Sequence, residues 1–188
     1  NAAVHLTADT VNNSQTSTNT QGIVGQDIHL GVSTLNNQQG QVLADRDLTI
    51  TASGSILNTQ GKLNAQRRLM LQDSPVGAPT AAALRQFAIT NTGGQIVANS
   101  TAAPAASNVS VRAKTLGLDG TLSSGGDVSL DLVGDLSTEA GQQLRAGRDL
   151  SVQLNGGTFG NAGQWQAGRD LSVRADHIMN QVSGELLS

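Results

Sequence analysis

The chain holds 188 residues with a formal net charge of −3, 2% aromatic and 37% hydrophobic side chains, and no cysteine. So few bulky side chains would fill a globular core poorly, and the mild acidity gives no electrostatic case for binding nucleic acid or an anionic membrane. Without cysteine neither a disulfide framework nor a thiolate metal site can form, and no apolar run approaches the length of a membrane span.

Val4-His5-Leu6 reads as an alternating strand near the start, with no signal peptide before it. A diffuse stretch rich in Asn, Thr and Gln follows over 12–20. Beyond it one phrase keeps returning: a glycine, an apolar residue, a small residue, a polar turn and an alternating strand. Its clearest copy runs Gly163-Gln-Trp165-Gln-Ala167-Gly-Arg-Asp170-Leu171-Ser-Val173. Earlier copies start at Gly40, Gly61, Gly94, Gly120 and Gly141, the copy at Gly22 is one residue short, and a truncated one opens at Gly184. The apolar column falls on Val42, Leu63, Ile96, Leu122, Leu144, Trp165 and Leu186, at steps of 21, 33, 26, 22, 21 and 21 residues. A fixed period of this length marks a repeat architecture.

Within each copy the spacing is two. Leu48 and Ile50 flank Thr49, Leu150 and Val152 flank Ser151, and Leu171 and Val173 flank Ser172. Successive strand side chains point to opposite faces, so one row is buried and the Ser/Thr row is wet. The repeat has room for three short strands, the third ending at Leu57-Asn58, Ile89-Thr-Asn91 or Ile178-Met-Asn180. Asn and Gly tolerate left-handed backbone and are expected to mark the corners. The predicted fold class is all-β, a parallel β-helix of roughly eight coils with about 21 residues each. At ~4.8 Å per coil the rod is on the order of 40 Å long. One coil cannot bury its face alone, so stability accumulates from stacking. Both ends break mid-pattern, and 1–188 is expected to be a single β-helical segment cut from a longer rod.

Two adjacent steps of the period are too long. One insertion occupies 72–86, where Pro79 followed by Thr-Ala-Ala-Ala-Leu-Arg-Gln reads as a short helix. The other occupies 99–107. Both must leave at corners, because an extra residue inside a strand would flip its inward row. Insertions in repeat proteins map to loops that are either silent or carry binding. If these bind a partner, the candidate contacts are Val76, Leu84, Arg85, Phe87, Asn99 and Thr101.

A column of turn residues, Asp27, Asp47, Arg68, Asn108, Asp127, Asp149 and Asp170, invites comparison with a catalytic carboxylate array. Each sits just before a strand, where an Asp side chain can accept backbone N–H bonds in an Asx-type turn. The neighbouring column is Gln26, Arg46, Arg67, Gly126, Arg148 and Arg169, so acids and bases offset one another along the rod. Repetition favours structure, since an active site is usually singular. His5, His29 and His177 are expected to lie too far apart in coil number to share a metal, and Trp165 is expected to fill the apolar column over Leu144 and Leu186. No catalytic, metal-binding or cofactor-binding set emerges, and no nucleophile can be argued.

The phrase Ala146-Gly-Arg-Asp-Leu-Ser-Val152, repeated at Ala167 to Val173 and varied at Ala44 to Ile50 and Ser124 to Leu130, resembles the filamentous-haemagglutinin repeat. The Asn58-Thr-Gln-Gly61 corner resembles it too. That family contains two-partner-secreted adhesins, haemolysin-like exoproteins and contact-dependent growth-inhibition toxins of Gram-negative bacteria. The resemblance implies a right-handed parallel β-helix, exported by an outer-membrane two-partner transporter and projecting from the cell surface. A structural or adhesive stalk follows, presenting a distal adhesin or toxin-delivery element. The alternative is a segment that itself binds a host or bacterial cell-surface receptor or a glycan through the insertions. A polysaccharide-cleaving enzyme on a β-helix would need clustered carboxylates, and the charges here are few and evenly repeated.

Overall fold

The computed structural model describes residues 2–17, 21–73 and 85–188. Every strand pairing within it is parallel. One sheet stacks Val4–Asn12, Ile28–Asn36, Asp47–Leu57, Arg68–Gln72, Asn108–Ala113, Val128–Leu132, Leu150–Leu154 and Leu171–Arg174 in that order. A second stacks Ile23–Gly25, Gln41–Ala44, Lys62–Ala65, Gln95–Ala98, Thr121–Ser124, Gln143–Ala146, Gln164–Ala167 and Glu185–Leu187. The third face begins as the far half of the long strands, continues through Ala88–Thr90 and Thr115–Gly117, and closes with Leu136–Thr138, Thr158–Asn161 and His177–Asn180. The chain therefore visits three faces per turn in the predicted order, as a parallel β-solenoid of about eight turns.

The inward rows are those the alternation marks. Leu48, Ile50, Leu69, Leu71, Val109, Val111, Leu150 and Val152 are at most 1% exposed. They sit in register from coil to coil, Leu48 opposite Leu69, Leu69 opposite Val109 and Leu150 opposite Leu171. The second sheet supplies Val42, Leu63, Ile96, Leu122, Leu144 and Trp165, all buried. Trp165 pairs with Leu144 and Leu186 and is fully enclosed, packing edge-on against Phe159 with ring centroids 4.9 Å apart. Its indole N–H donates to the Thr138 hydroxyl at 3.0 Å, so the polar tip of this large side chain is satisfied inside the core.

The corners differ from expectation in their cause. Gln15, Gln39 and Gln60, with φ of 59°, 52° and 54°, carry the left-handed backbone, joined by Gly93 at 60°. The repeat glycine that follows has a different duty. A Cβ at Gly40, Gly61 or Gly94 would lie 2.0, 2.1 or 2.0 Å from the backbone carbonyl of Asn13, Asn37 or Asn58 in the preceding coil. Glycine is required there because two successive coils touch, not because of φ.

Both insertions leave at corners. Residues 73–87 join the first sheet to the third face, and 99–107 join the second sheet to the first. The strands on either side keep register, Arg68–Gln72 pairing with Asn108–Arg112 and Ser55–Leu57 with Ala88–Thr90. The second insertion holds a single 3-10 turn, Pro104–Ala106. The helix expected after Pro79 falls largely on residues outside the described ones.

Candidate functional site

Outside the core, the repeated polar columns form ladders. Arg46 grips Asp27, its Nε donating to Oδ1 at 3.1 Å while Nη2 reaches Oδ2. Arg67 does the same to Asp47 at 2.8 and 2.6 Å, and Arg68 adds a third bond to Asp47 at 3.1 Å. Arg169 holds Asp149 through Nε at 2.7 Å and through Nη2. Each arginine reaches back to the aspartate of the coil before it. Arg148 and Asp127 are looser, at 3.5 Å.

These guanidinium bonds hold the Asp27, Asp47 and Asp149 carboxyls below the usual carboxylate range, against the opposing push of burial. A proton donor needs the opposite shift, so these three carboxyls are poorly suited to acid catalysis. The expected Asx turn is also replaced by an inter-coil bond: the Asp149 N–H donates to Asp127 Oδ1 at 3.3 Å, and the Asp127 N–H to Asn108 Oδ1 at 2.9 Å. The aspartate ties one coil to the next rather than closing its own turn.

A second ladder lies beneath the third-face corners, and the sequence reading does not contain it. Asn13 donates its amide to Asn37, Asn37 to Asn58 and Asn58 to Asn91, each at 2.7 Å between Nδ2 and Oδ1. The same nitrogens also bond the carbonyls of Gln41, Lys62 and Gln95. Asn37, Asn58 and Asn91 are fully buried. The run stops at the coil where Leu118 follows Gly117, the partner of Thr90. It restarts as Thr138 donating to Asn161 at 2.8 Å and Asn161 to Asn180 at 2.9 Å. The available signal was the asparagine three residues before Gly40, Gly61 and Gly94.

The histidines require a correction. His5 and His29 are register partners in adjacent coils, their rings stacked 4.8 Å apart with an interplanar angle of 7°. Only His177 stands apart, in the third face near the other end. Parallel stacked rings direct their in-plane lone pairs side by side, so they do not converge on one ion at bonding distance. Among the described residues no group of three or more His, Asp or Glu is arranged to hold a metal.

The insertions divide their candidate residues. Phe87 is fully buried, and Arg85 is turned inward, its Nη1 donating to the Asp131 carbonyl at 3.0 Å and its Nη2 to Oδ2 at 2.8 Å. Both side chains are engaged with the fold. Burial pushes the Asp131 carboxyl up, but the bonds from Arg85 and Asn155 outweigh it and hold it below its ordinary value. Arg112 binds Asp73 at 2.8 Å at the insertion's other end. Val76 and Leu84 lie outside the described residues. Asn99 and Thr101 are exposed. Behind them Ser100 Oγ accepts the N–H groups of Ala102 and Ala103, and Ser107 Oγ donates to the Gln66 carbonyl at 2.7 Å.

Shallow hollows also lie between the coils. The corner is short at Asp119-Gly120 and long over 139–142, leaving two shallow hollows of about 420 and 390 Å³ that share Asp119 and Gln142. Gln142 bridges them, donating to Asp119 Oδ1 at 2.9 Å and accepting the Glu139 N–H at 2.8 Å. No aromatic ring or histidine lines either hollow.

The architecture is that of a β-solenoid rod whose repeated charges and amides are consumed in joining coil to coil. Over 159 residues, covering 75% of this chain, the sequence is 31% identical to the tRNA nuclease CdiA-2 of Burkholderia pseudomallei (strain 1026b). The chain is homologous to that protein, and it spans 5% of the relative's length. No family model matches the chain, and no solved structure matches it.

Proposed function

We propose that this chain is a stretch of the β-helical stalk of a large exoprotein of the contact-dependent growth-inhibition type. In this reading the rod winds right-handed, leaves a Gram-negative cell through an outer-membrane two-partner transporter, and holds a distal adhesive or toxin-delivery element away from the surface. The observation that carries it is the homology to CdiA-2 over three quarters of a chain whose described residues form a parallel β-solenoid. The polar columns support a mechanical role, because Arg–Asp and Asn–Asn contacts join successive coils. The segment is accordingly read as non-catalytic, whatever the activity of the parent protein. Coil-by-coil burial of the inward row outside the cell would also favour export.

The test is exchange. Residues 28–180 of the parent protein are replaced by an unrelated β-solenoid of equal coil number, and target-cell binding and inhibition are measured. A spacer predicts unchanged binding with surface display intact. Binding lost while display is retained would favour recognition by this segment, through the exposed loop bearing Asn99 and Thr101.

A further inference from the structure

The tripeptide Asn-x-Ser/Thr, without proline at its centre, is the acceptor sequence for sugar attachment to an asparagine amide. It occurs here three times, as Asn12-Asn13-Ser14, Asn99-Ser100-Thr101 and Asn108-Val109-Ser110. The fold treats the three differently.

Asn108 is committed. It is part-buried in a strand of the first sheet, paired with Arg68, and its Oδ1 accepts the Asp127 N–H at 2.9 Å. A sugar on its amide nitrogen would have to displace the side chain from the inter-coil column. Asn12 has an exposed side chain but closes a strand paired to Asn36, and its central neighbour Asn13 is buried at the head of the amide ladder. An enzyme could grip that tripeptide only by pulling out a rung.

Asn99 has neither constraint. It is the first residue of the second insertion, just past the strand Gln95–Ala98, and its side chain and that of Thr101 are both exposed. The backbone turns away immediately after it, held by Ser100 Oγ accepting from Ala102 and Ala103 at 3.3 and 3.2 Å. The loop's other anchor is Ser107, whose Oγ accepts the Ser100 N–H at 2.9 Å and donates to the Gln66 carbonyl at 2.7 Å, so within the tripeptide the Ser100 side chain holds the turn while Asn99 and Thr101 stay exposed.

We propose that Asn99 is an acceptor for an N-linked sugar, with Thr101 as its recognition hydroxyl. The donor is a sugar activated through a diphosphate. Asn99 Nδ2 attacks the anomeric carbon; the carbon–oxygen bond to diphosphate breaks, the leaving group departs with its electron pair, and Nδ2 loses one proton to a base as the carbon–nitrogen bond forms. A bulky hydrophilic group at this corner points into solvent and leaves every inter-coil bond intact.

The experiment is peptide mapping by mass spectrometry of the protein as secreted by its own bacterium, with fragmentation that preserves the sugar linkage. The expected result is sugar on Asn99 and none on Asn108. One or two hexoses would identify a nucleotide-linked donor, and a uniform oligosaccharide a lipid-linked one. Thr101→Ala should abolish the modification and Thr101→Ser should retain it, with circular dichroism showing both folded. Unmodified Asn99 in the secreted protein, or sugar that persists in Thr101→Ala, would overturn the proposal. Neither depends on whether the segment is a spacer, since the exchange experiment reads that separately.

Discussion

Asn58 donates to Asn91 at the same 2.7 Å as Asn37 donates to Asn58, although the first pair is separated by 33 residues and the second by 21. The larger insertion is thus invisible to the ladder. What the solenoid keeps from coil to coil is the vertical contact, and the chain wanders between contacts provided that it returns to the column.

Breaking that column should be costly. Asn58→Ala removes an acceptor from buried Asn37 and a donor from buried Asn91, and unsatisfied buried amides cost about 1–3 kcal/mol each. Urea titration of the isolated chain should show the midpoint falling accordingly. Leu118, which the fold tolerates where the ladder is interrupted, provides the contrast: Leu118→Ala should cost through lost packing alone.

Glycine substitutions separate the two kinds of corner residue. Gly61→Ala places a methyl 2.1 Å from the Asn37 carbonyl, and backbone must move. It should destabilise by more than about 4 kcal/mol, the range reserved for gross misfit. Gly117→Ala meets its nearest atom at 3.6 Å, an ordinary contact, and should stay within about 1 kcal/mol of the parent. Parallel urea titrations of the two variants check this.

The single tryptophan is a built-in reporter. Trp165 is fully buried, so its emission should be blue-shifted in the folded rod and move red on unfolding. Trp165→Phe keeps most of the volume and loses the bond to Thr138, at about 1 kcal/mol. Trp165→Ala should cost about 3–5 kcal/mol through the cavity it leaves.

Stability should fall in acid. Asp27, Asp47, Asp131 and Asp149 all have carboxyl groups held below their ordinary range in the folded chain. The unfolded chain, with carboxyls near pKa ~3.9, then binds more protons across the interval between the two values. The contribution is fully present above about pH 5 and is lost as pH drops through the depressed folded values. Denaturant midpoints at pH 7 and pH 3 should differ, and Asp131→Asn should narrow the difference while weakening the unfragmented bond network around Arg85.

The sequence disclosed the period, the inward rows and the corner positions, because burial imposes a two-residue rhythm that survives in Leu48/Ile50 and Leu150/Val152. It disclosed the Arg and Asp columns but not their direction, since which coil an arginine reaches depends on side-chain length across the stack. The amide ladder stayed hidden because buried Asn37 and an exposed corner Asn look alike in sequence. His5 and His29 were misplaced because 24 residues separate them, and a coil in that stretch spans more than the usual period. Phe87 and Arg85 read as loop residues because the insertion is adjacent in sequence, yet both belong to the anchoring of its end.

The most direct test of an exported stalk is to probe intact cells of the source bacterium with antibodies raised against the folded chain, with and without the outer-membrane transporter that serves the parent protein. Labelling of intact cells, lost when the transporter is deleted, is the expected result. Antigen confined to the cytoplasm, with no change on deleting the transporter, would contradict it.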